Sequence, residues 1–421
     1  MSFKTYTLGE IASNTSRRFN FVGNEQVCFI NTGDILDGHF LTDERVQSKG
    51  LPGQAKKAIQ HGDILYSEIR PGNKRHLLVE GDVDDYVVST KFMVITCDHD
   101  VVLPEFLYLV LTSKECEAEF KVIADSRSGT FPQITFDAVA YYPIELPSLN
   151  EQRKVVEIIK SITQKLNLNK DINSTSEDIA QALFKSWFVD FDPVKAKMNG
   201  EKPEGMDAAT ASLFPEKLVE SEEGLIPEGW NVEPLKNVSR VINGRAYKNT
   251  EFKDEGTPII RIQNLTGKGK TVYSDMELPK DKLTEHGDLL FAWSATFGPH
   301  LWRGPKSIYH YHIWKMDVDE TKFGKYLLYL HLARLTDYLK NQGTGSIFTH
   351  LTKAIMESQK LIVPSEAIVE EFSKVVTPLF AQIDSLHKEN KVLEQLRDTL
   401  LPKLLSGEIE LETTEELVEV N

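Results

Sequence analysis

The feature that most constrains this chain is that it repeats itself once. His61-Gly62-Asp63-Ile64-Leu65-Tyr66 is matched by His286-Gly287-Asp288-Leu289-Leu290-Phe291, and Leu107-Tyr108-Leu109 by Leu328-Tyr329-Leu330. The segments 6–11, 128–135 and 146–148 are answered in the same order by 232–238, 345–352 and 363–365. A period of about 220 residues is far longer than any solenoid repeat, so the chain should fold as two copies of a whole domain.

Each copy opens with short β-branched or aromatic runs bounded by Gly, Asp or Asn, such as Phe29-Ile30, Ile64-Leu65-Tyr66, Val87-Val88 and 92–95, which read as strands. Helices are expected at 104–120 and 323–340, with Pro104 in a first-turn position. A Gly/Ser/Thr-rich loop then leads to a last strand ending at Pro147 or Pro364. Strands followed by helices in this order indicate an α+β domain.

After each domain the period changes. Val155, Ile159, Ile162, Leu166, Asn169, Asn173, Ser176, Ile179 and Leu183 step by three and four. So do Phe372, Val376, Leu379, Ile383, Leu386, Asn390, Leu393, Leu396 and Leu400, and one constant offset places Asn173 on Asn390. Such a run predicts a coiled-coil seam, in which a polar Asn fixes register. Each helix could instead pack only on its own domain. Their matched length favours pairing with each other, antiparallel because a full domain lies between them. Each spans about forty residues, which gives a rod of roughly 50–60 Å. The expected class is α+β: two tandem α/β domains related by a pseudo-twofold duplication and separated by an antiparallel coiled coil of two long helices. The expected boundaries are a first domain at 1–147, a helix at 148–190 and a Pro/Gly/Glu-rich linker at 191–229. A second domain at 230–365, a helix at 366–406 and an acidic tail at 407–421 complete the chain.

No run of 18 apolar residues suits a membrane span, and the first residues lack a signal-peptide layout. Three cysteines, Cys28, Cys97 and Cys116, show no metal-ligand spacing, so free thiols in a cytoplasmic protein are expected. The net charge of −15 opposes binding to nucleic acid. Between 236 and 270, however, Lys236, Arg240, Arg245, Lys248, Lys253, Arg261, Lys268 and Lys270 reverse the local balance, and net charge describes steering and not any one face.

Signatures of catalysis are missing from the sequence. It has no phosphate-binding G-x-x-x-x-G-K-[ST] loop and no G-x-G-x-x-G after a strand. It also lacks the Asn/Asp-Pro-Pro-aromatic run with which an amino-methyltransferase grips a base; Asp192-Pro193-Val194 does not supply it. His310 and His312 could share a strand face as metal ligands, but without further ligands nearby they read as a stacked or solvated pair. The two His-Gly-Asp triplets read as turns, with Gly for the bend and Asp for a local backbone bond.

Four segments carry a resemblance to a known family. Residues 183–197, with Phe184, Trp187, Phe188, Phe191 and Asp192-Pro193, resemble the central conserved region of type I restriction–modification specificity subunits. Gly224-Leu225-Ile226-Pro227-Glu228-Gly229-Trp230 resembles the start of their second target-recognition domain, 400–409 their C-terminal conserved region, and 147–153 the start of their central helix. The resemblance implies a non-catalytic subunit whose two target-recognition domains each read one half of a split, asymmetric site on double-stranded DNA, while the helices set the gap. It implies two methyltransferase subunits as partners, joined in some complexes by two restriction subunits. The chain would have no cofactor of its own; S-adenosylmethionine, Mg and ATP would sit on the partners, which would also supply much of the phosphate contact.

Base reading in the major groove needs Arg or Lys for guanine and Asn or Gln for adenine. In the first copy the polar loops offer Arg70, Lys74 and Arg75, then Arg127, Ser128, Thr130 and Gln133. In the second they offer Arg245, Tyr247, Lys248, Arg261, Gln263 and Asn264, then Ser346 and His350. Phe184, Trp187, Phe188 and Phe191 are expected either to dock a methyltransferase or to cap the helix pair against Leu401, Leu404 and Leu405. The rival readings are a coiled-coil scaffold with duplicated peptide-binding domains, which the acidic charge favours, and a nuclease with dispersed carboxylates.

Overall fold

The computed structural model describes residues 3–23, 25–127, 132–267, 269–294, 297–341, 351–409 and 411. Contacts divide the chain into two units, Met1–Leu168 with Asn390–Asn421, and Asn169–Glu389. The two long helices, Leu149–Phe188 and Glu366–Leu405, each contribute a segment to both.

In the first unit a four-stranded sheet orders Val46–Gln47, Gln26–Ile30, Tyr86–Ser89 and Ala55–Ala58, with Tyr86–Ser89 parallel to Gln26–Ile30. An antiparallel sheet orders Ala12–Asn14, Phe92–Cys97, Ile64–Ser67 and His76–Leu78. Lys4–Thr7 pairs with Pro143–Leu146. The second unit repeats this order strand for strand. Val272–Ser274, Thr257–Ile260, Ser307–Tyr309 and Leu283–Thr284 form the mixed sheet, again with one parallel pair. Ser239–Asn243, Ile313–Val318, Leu289–Ala292 and Gly298–Leu301 form the antiparallel one, and Asn231–Pro234 pairs with Lys360–Val363.

The duplication reaches single hydrogen bonds. Both glycines of the His-Gly-Asp triplets are left-handed, Gly62 at φ 86° and Gly287 at φ 87°. Both aspartates close their turn by accepting a backbone N–H three residues earlier, Asp63 from Gln60 and Asp288 from Glu285, each at 2.7 Å. The triplets are structural turns, as glycine and aspartate at these places require.

Some elements differ from the sequence reading. The expected helix at 104–120 is two helices, Pro104–Leu111 and Lys114–Arg127. Thr112 Oγ1 donates back to the Tyr108 carbonyl at 2.8 Å and Ser113 Oγ accepts the Cys116 N–H at 3.2 Å, so side chains end one helix and start the next. The stretch 191–229 is ordered and not a plain linker. Pro193 lies in the first turn of Asp192–Met198, Asp207 caps Ala208–Leu213, and Leu218–Ser221 pairs with Gly224–Pro227.

The long helices meet antiparallel in each unit. In the first, Val155 and Ile159 near the start of one helix share a core with Leu404 near the end of the other. In the second, the ring of Trp187 at the end of one lies tilted 5.6 Å from that of Phe372 at the start of the other. Asn169, Asn173 and Asn390 are buried as the seam predicts, and Asn169 Nδ2 donates to Glu389 at 2.9 Å. Two seam assignments fail: Ile179 is 45% exposed and Leu396 43%. Toward the second domain the buried positions become Ala180, Phe184 and Trp187, because there the helix packs on a domain core and not only on its partner helix. Cys28, Cys97 and Cys116 are buried free thiols. Among the described residues no helix is long and apolar enough to cross a membrane.

Candidate nucleic-acid interface

The first unit brings two of the predicted loops together. The chain after Ile64–Ser67 turns through the short 3-10 helix Pro71–Asn73, flanked by Arg70 at φ 49° and Lys74 at φ 54°. Two non-glycine residues in left-handed backbone cost roughly 1–2 kcal/mol each, and such strain gathers where function over-determines the backbone. The Arg70 N–H donates to the Pro132 carbonyl at 2.9 Å, and Ile69 bridges to Gln133. Exposed Arg70 and exposed Gln133 therefore share one edge. Lys74 pairs with exposed Asp37 at 3.4 Å. Arg127 ends its helix, while Ser128 and Thr130 lie outside the described residues.

Arg75 does not fit a base-reading role. Its Nη1 donates to the Gly33 and Ile35 carbonyls at 2.9 and 2.5 Å, so the guanidinium clamps the backbone ahead of the hairpin Ile35–Leu36 and His39–Phe40. Arg75→Ala should lower stability by about 1–2 kcal/mol through two lost charge-assisted bonds and leave DNA base preference unchanged. Urea denaturation beside a binding-site selection checks both halves of that expectation.

In the second unit Arg245, Tyr247 and Arg261 gather round His310, while Lys248 and Gln263, the latter in the short helix Ile262–Leu265, stand exposed. Arg245 bridges to His310, its Nη2 donates to Glu251 at 2.7 Å, and its guanidinium lies 4.9 Å over the Tyr247 ring. The Arg245 bond holds the Glu251 carboxyl below the usual carboxylate range, and the second oxygen of Glu251 accepts the Lys248 N–H at 2.7 Å. The Arg261 N–H donates to Asn264 Oδ1 at 2.9 Å, and its Nη2 donates to the Lys270 carbonyl. Arg245 Nη1, Tyr247 Oη and Arg261 Nε are buried without a hydrogen-bond partner. Three unsatisfied polar atoms in one cluster are unusual in a native protein. Ser346 and His350 lie outside the described residues.

His310 and His312, first read as a bland pair, belong to the centre of this site. Tyr247 stacks on His310 at 6.3 Å, His310 lies 5.0 Å from His312, and Trp293 meets His312 at 5.1 Å. Burial lowers the pKa of both imidazoles, and His312 and Arg261 lower that of His310 further. Both rings are therefore neutral at neutral pH, each with one donor and one acceptor nitrogen. Among the described residues no three His, Cys, Asp or Glu are placed to hold a metal. Trp293 and Tyr311 are not among the sequence candidates, and His310 and His312 are weighed there only as a metal pair; the dense aromatic run His310-Tyr311-His312-Ile313-Trp314 is the signal available.

The model of the type I restriction modification DNA specificity domain matches the chain twice, at residues 2–177 and 227–395. The chain belongs to this specificity family. It is 40% identical to the type I restriction enzyme HindI specificity subunit of Haemophilus influenzae, covering 97% of this chain and 99% of that one. It is 27% identical to the MjaIX specificity subunit of Methanocaldococcus jannaschii, over 74% and 71% of the two chains. The crystal structure of the type I restriction–modification S subunit from M. genitalium shares the fold, with a TM-score of 0.55, 14% identity and coverage of 98% and 97%.

For this specificity-family chain the aromatic cluster on the first long helix needs correction. Phe184, Trp187, Phe188 and Phe191 are 4–7% exposed and join the second unit's core with Phe214, Trp230 and Phe372. They do not cap the helix pair against Leu401, Leu404 and Leu405, which pack with the first unit's core. Antiparallel pairing places the end of one helix beside the start of the other. Side chains so buried leave little surface for docking a partner directly.

Proposed function

We propose that this chain supplies sequence specificity to a type I restriction–modification complex, with each α+β domain reading one half of a split, asymmetric site on double-stranded DNA. The observation that supports it best is the doubled domain: two matching frames, each matched by the specificity-domain family. In this reading the chain is non-catalytic and cytoplasmic, and the long helices set the gap between half-sites. Two methyltransferase subunits, and in a restricting complex two restriction subunits, carry S-adenosylmethionine, Mg and ATP. The net charge of −15 suits a subunit that relies on these partners for much of its phosphate contact.

Co-expression with the cognate methyltransferase subunit, followed by genome-wide mapping of N6-methyladenine, tests the proposal. A split motif with a fixed gap is expected. No methylation, from a folded chain that forms no complex with that subunit, would return the scaffold reading. Within this reading Arg261→Ala should weaken specific binding by about 1–3 kcal/mol and relax one position of one half-site. A titration curve equal to wild type removes Arg261 from the readers.

A further inference from the structure

The two domains can be superposed bond by bond, and beside the candidate interface this brings out a strip where the frame is kept and the chemistry is exchanged. The Glu68 N–H donates to the Lys91 carbonyl at 2.9 Å, and the Trp293 N–H donates to the His312 carbonyl at 3.1 Å. The parallel pairing sets Val88 opposite Ile30 in one domain and Tyr309 opposite Ile260 in the other. The next residue donates its N–H to the side chain three residues on: Asn31 to Asp34 at 2.8 Å, and Arg261 to Asn264 at 2.9 Å. These bonds make Asn31 the counterpart of Arg261, Glu68 of Trp293, and Lys91 of His312.

Several turn and core places keep their residue type, while others on the same frame exchange it, as Val94 does for Lys315 and Thr96 for Asp317. Gly62 and Gly287, Asp63 and Asp288, Tyr66 and Phe291, and Leu8 and Leu235 hold the same turn, strand or core position. Along the strip an amide, a carboxylate and an ammonium in the first domain correspond to a guanidinium, an indole and an imidazole in the second. Asn31 Oδ1 caps the Thr32 N–H at 2.9 Å and Trp293 Nε1 donates to the Tyr311 carbonyl at 2.9 Å, which leaves Glu68 and Lys91 against Arg261 and His312. Lys91 is exposed, and Glu68, Trp293 and His312 are partly exposed. Beside His312, Tyr311 is 40% exposed. Two half-sites of different sequence demand this: one docking geometry, with different donors and acceptors offered to the base edges.

We propose, resting on the DNA-reading function above, that Glu68 and Lys91 determine the first half-site and Arg261 and His312 the second. Lys91 suits guanine O6 and N7, and Glu68 suits the cytosine amino group. Neutral His312 has a donor and an acceptor nitrogen to set against a purine edge.

The test is methylation mapping of the co-expressed complex carrying Lys91→Met or His312→Gln, substitutions that keep side-chain volume. Each variant should lower the preference for one base at one position by about tenfold or more, Lys91→Met in one half of the motif and His312→Gln in the other. Unchanged base preference in both variants overturns the strip. So does a uniform fall in methylation with the motif intact, which marks phosphate contact, and so does failure to co-purify with the methyltransferase subunit, since base readers are dispensable for assembly. A wild-type complex that methylates no split motif is a different result: it overturns the DNA-reading function and the strip with it.

Discussion

Trp187→Ala should destabilise the second unit by about 3–5 kcal/mol, the range for emptying a large aromatic site in a packed core. The indole is 6% exposed and meets Phe214 edge-on at 5.2 Å and Phe372 at 5.6 Å. It therefore joins the end of one long helix, the residue closing the short helix Ala208–Leu213, and the start of the other long helix. Alanine leaves a cavity that three differently anchored elements cannot collapse to fill. The chain carries its own reporters for this. All five tryptophans, at 187, 230, 293, 302 and 314, lie in the second unit, and all three cysteines, buried and unpaired, lie in the first. Burial raises the pKa of each thiol, that of Cys97 and Cys116 to about 12, so thiol labelling waits on unfolding. The urea midpoint from tryptophan emission should fall steeply in the variant, while the midpoint from thiol labelling moves much less. Equal shifts in both would mean that Trp187 supports the whole chain and not one core. Loss of the methyltransferase partner by a Trp187→Ala, Phe188→Ala variant would then follow from a damaged domain, without any direct docking contact.

What the sequence made legible, and what it hid, follows from the range of each interaction. The duplication, the seam from Val155 to Ser176 and the Gly-Asp turns depend on local spacing, and all three appear where the residues placed them. The end of the seam did not. Ile179 continues the three-and-four pattern but faces outward, because past that point burial is set by a domain core that only the tertiary fold brings up. Arg75 looked like Arg70 in sequence; only the approach of the 33–35 backbone shows that one is a clamp. His310 and His312 appeared bland because their importance lies in neighbours such as Tyr247 and Arg261, distant in sequence and joined by strand pairing. The aromatic run at 184–191 stands out in the sequence, but its placement depends on helix direction, which decides whether Phe372 or Leu404 is the neighbour.

Asp63→Ala should cost the first unit about 2–4 kcal/mol, the second large effect, and its counterpart Asp288→Ala only about 1–2 kcal/mol. Asp63 is 1% exposed. Its carboxylate accepts from Arg17 at 2.6 and 3.1 Å, from Thr96 Oγ1 at 3.0 Å and from the Gln60 N–H at 2.7 Å. Removing it leaves a guanidinium only 24% exposed facing an empty site, together with a hydroxyl and a backbone donor. Asp288 holds the same turn and pairs with Lys315 at 2.6 Å, but its side chain is 28% exposed. Lys315 is itself 17% exposed, but it keeps its bond to the Leu283 carbonyl at 3.1 Å, and water can enter where the part-exposed carboxylate stood, which lowers the penalty. The same motif should thus carry different weight in its two copies, because Asp63 is the more buried of the two aspartates and accepts four hydrogen bonds against three for Asp288. Thiol labelling of Cys97, on the strand that carries Thr96, reads the first variant, and tryptophan emission reads the second. Equal losses would show that closing the turn, common to both copies, dominates, and that the buried Arg17 pair adds nothing beyond it.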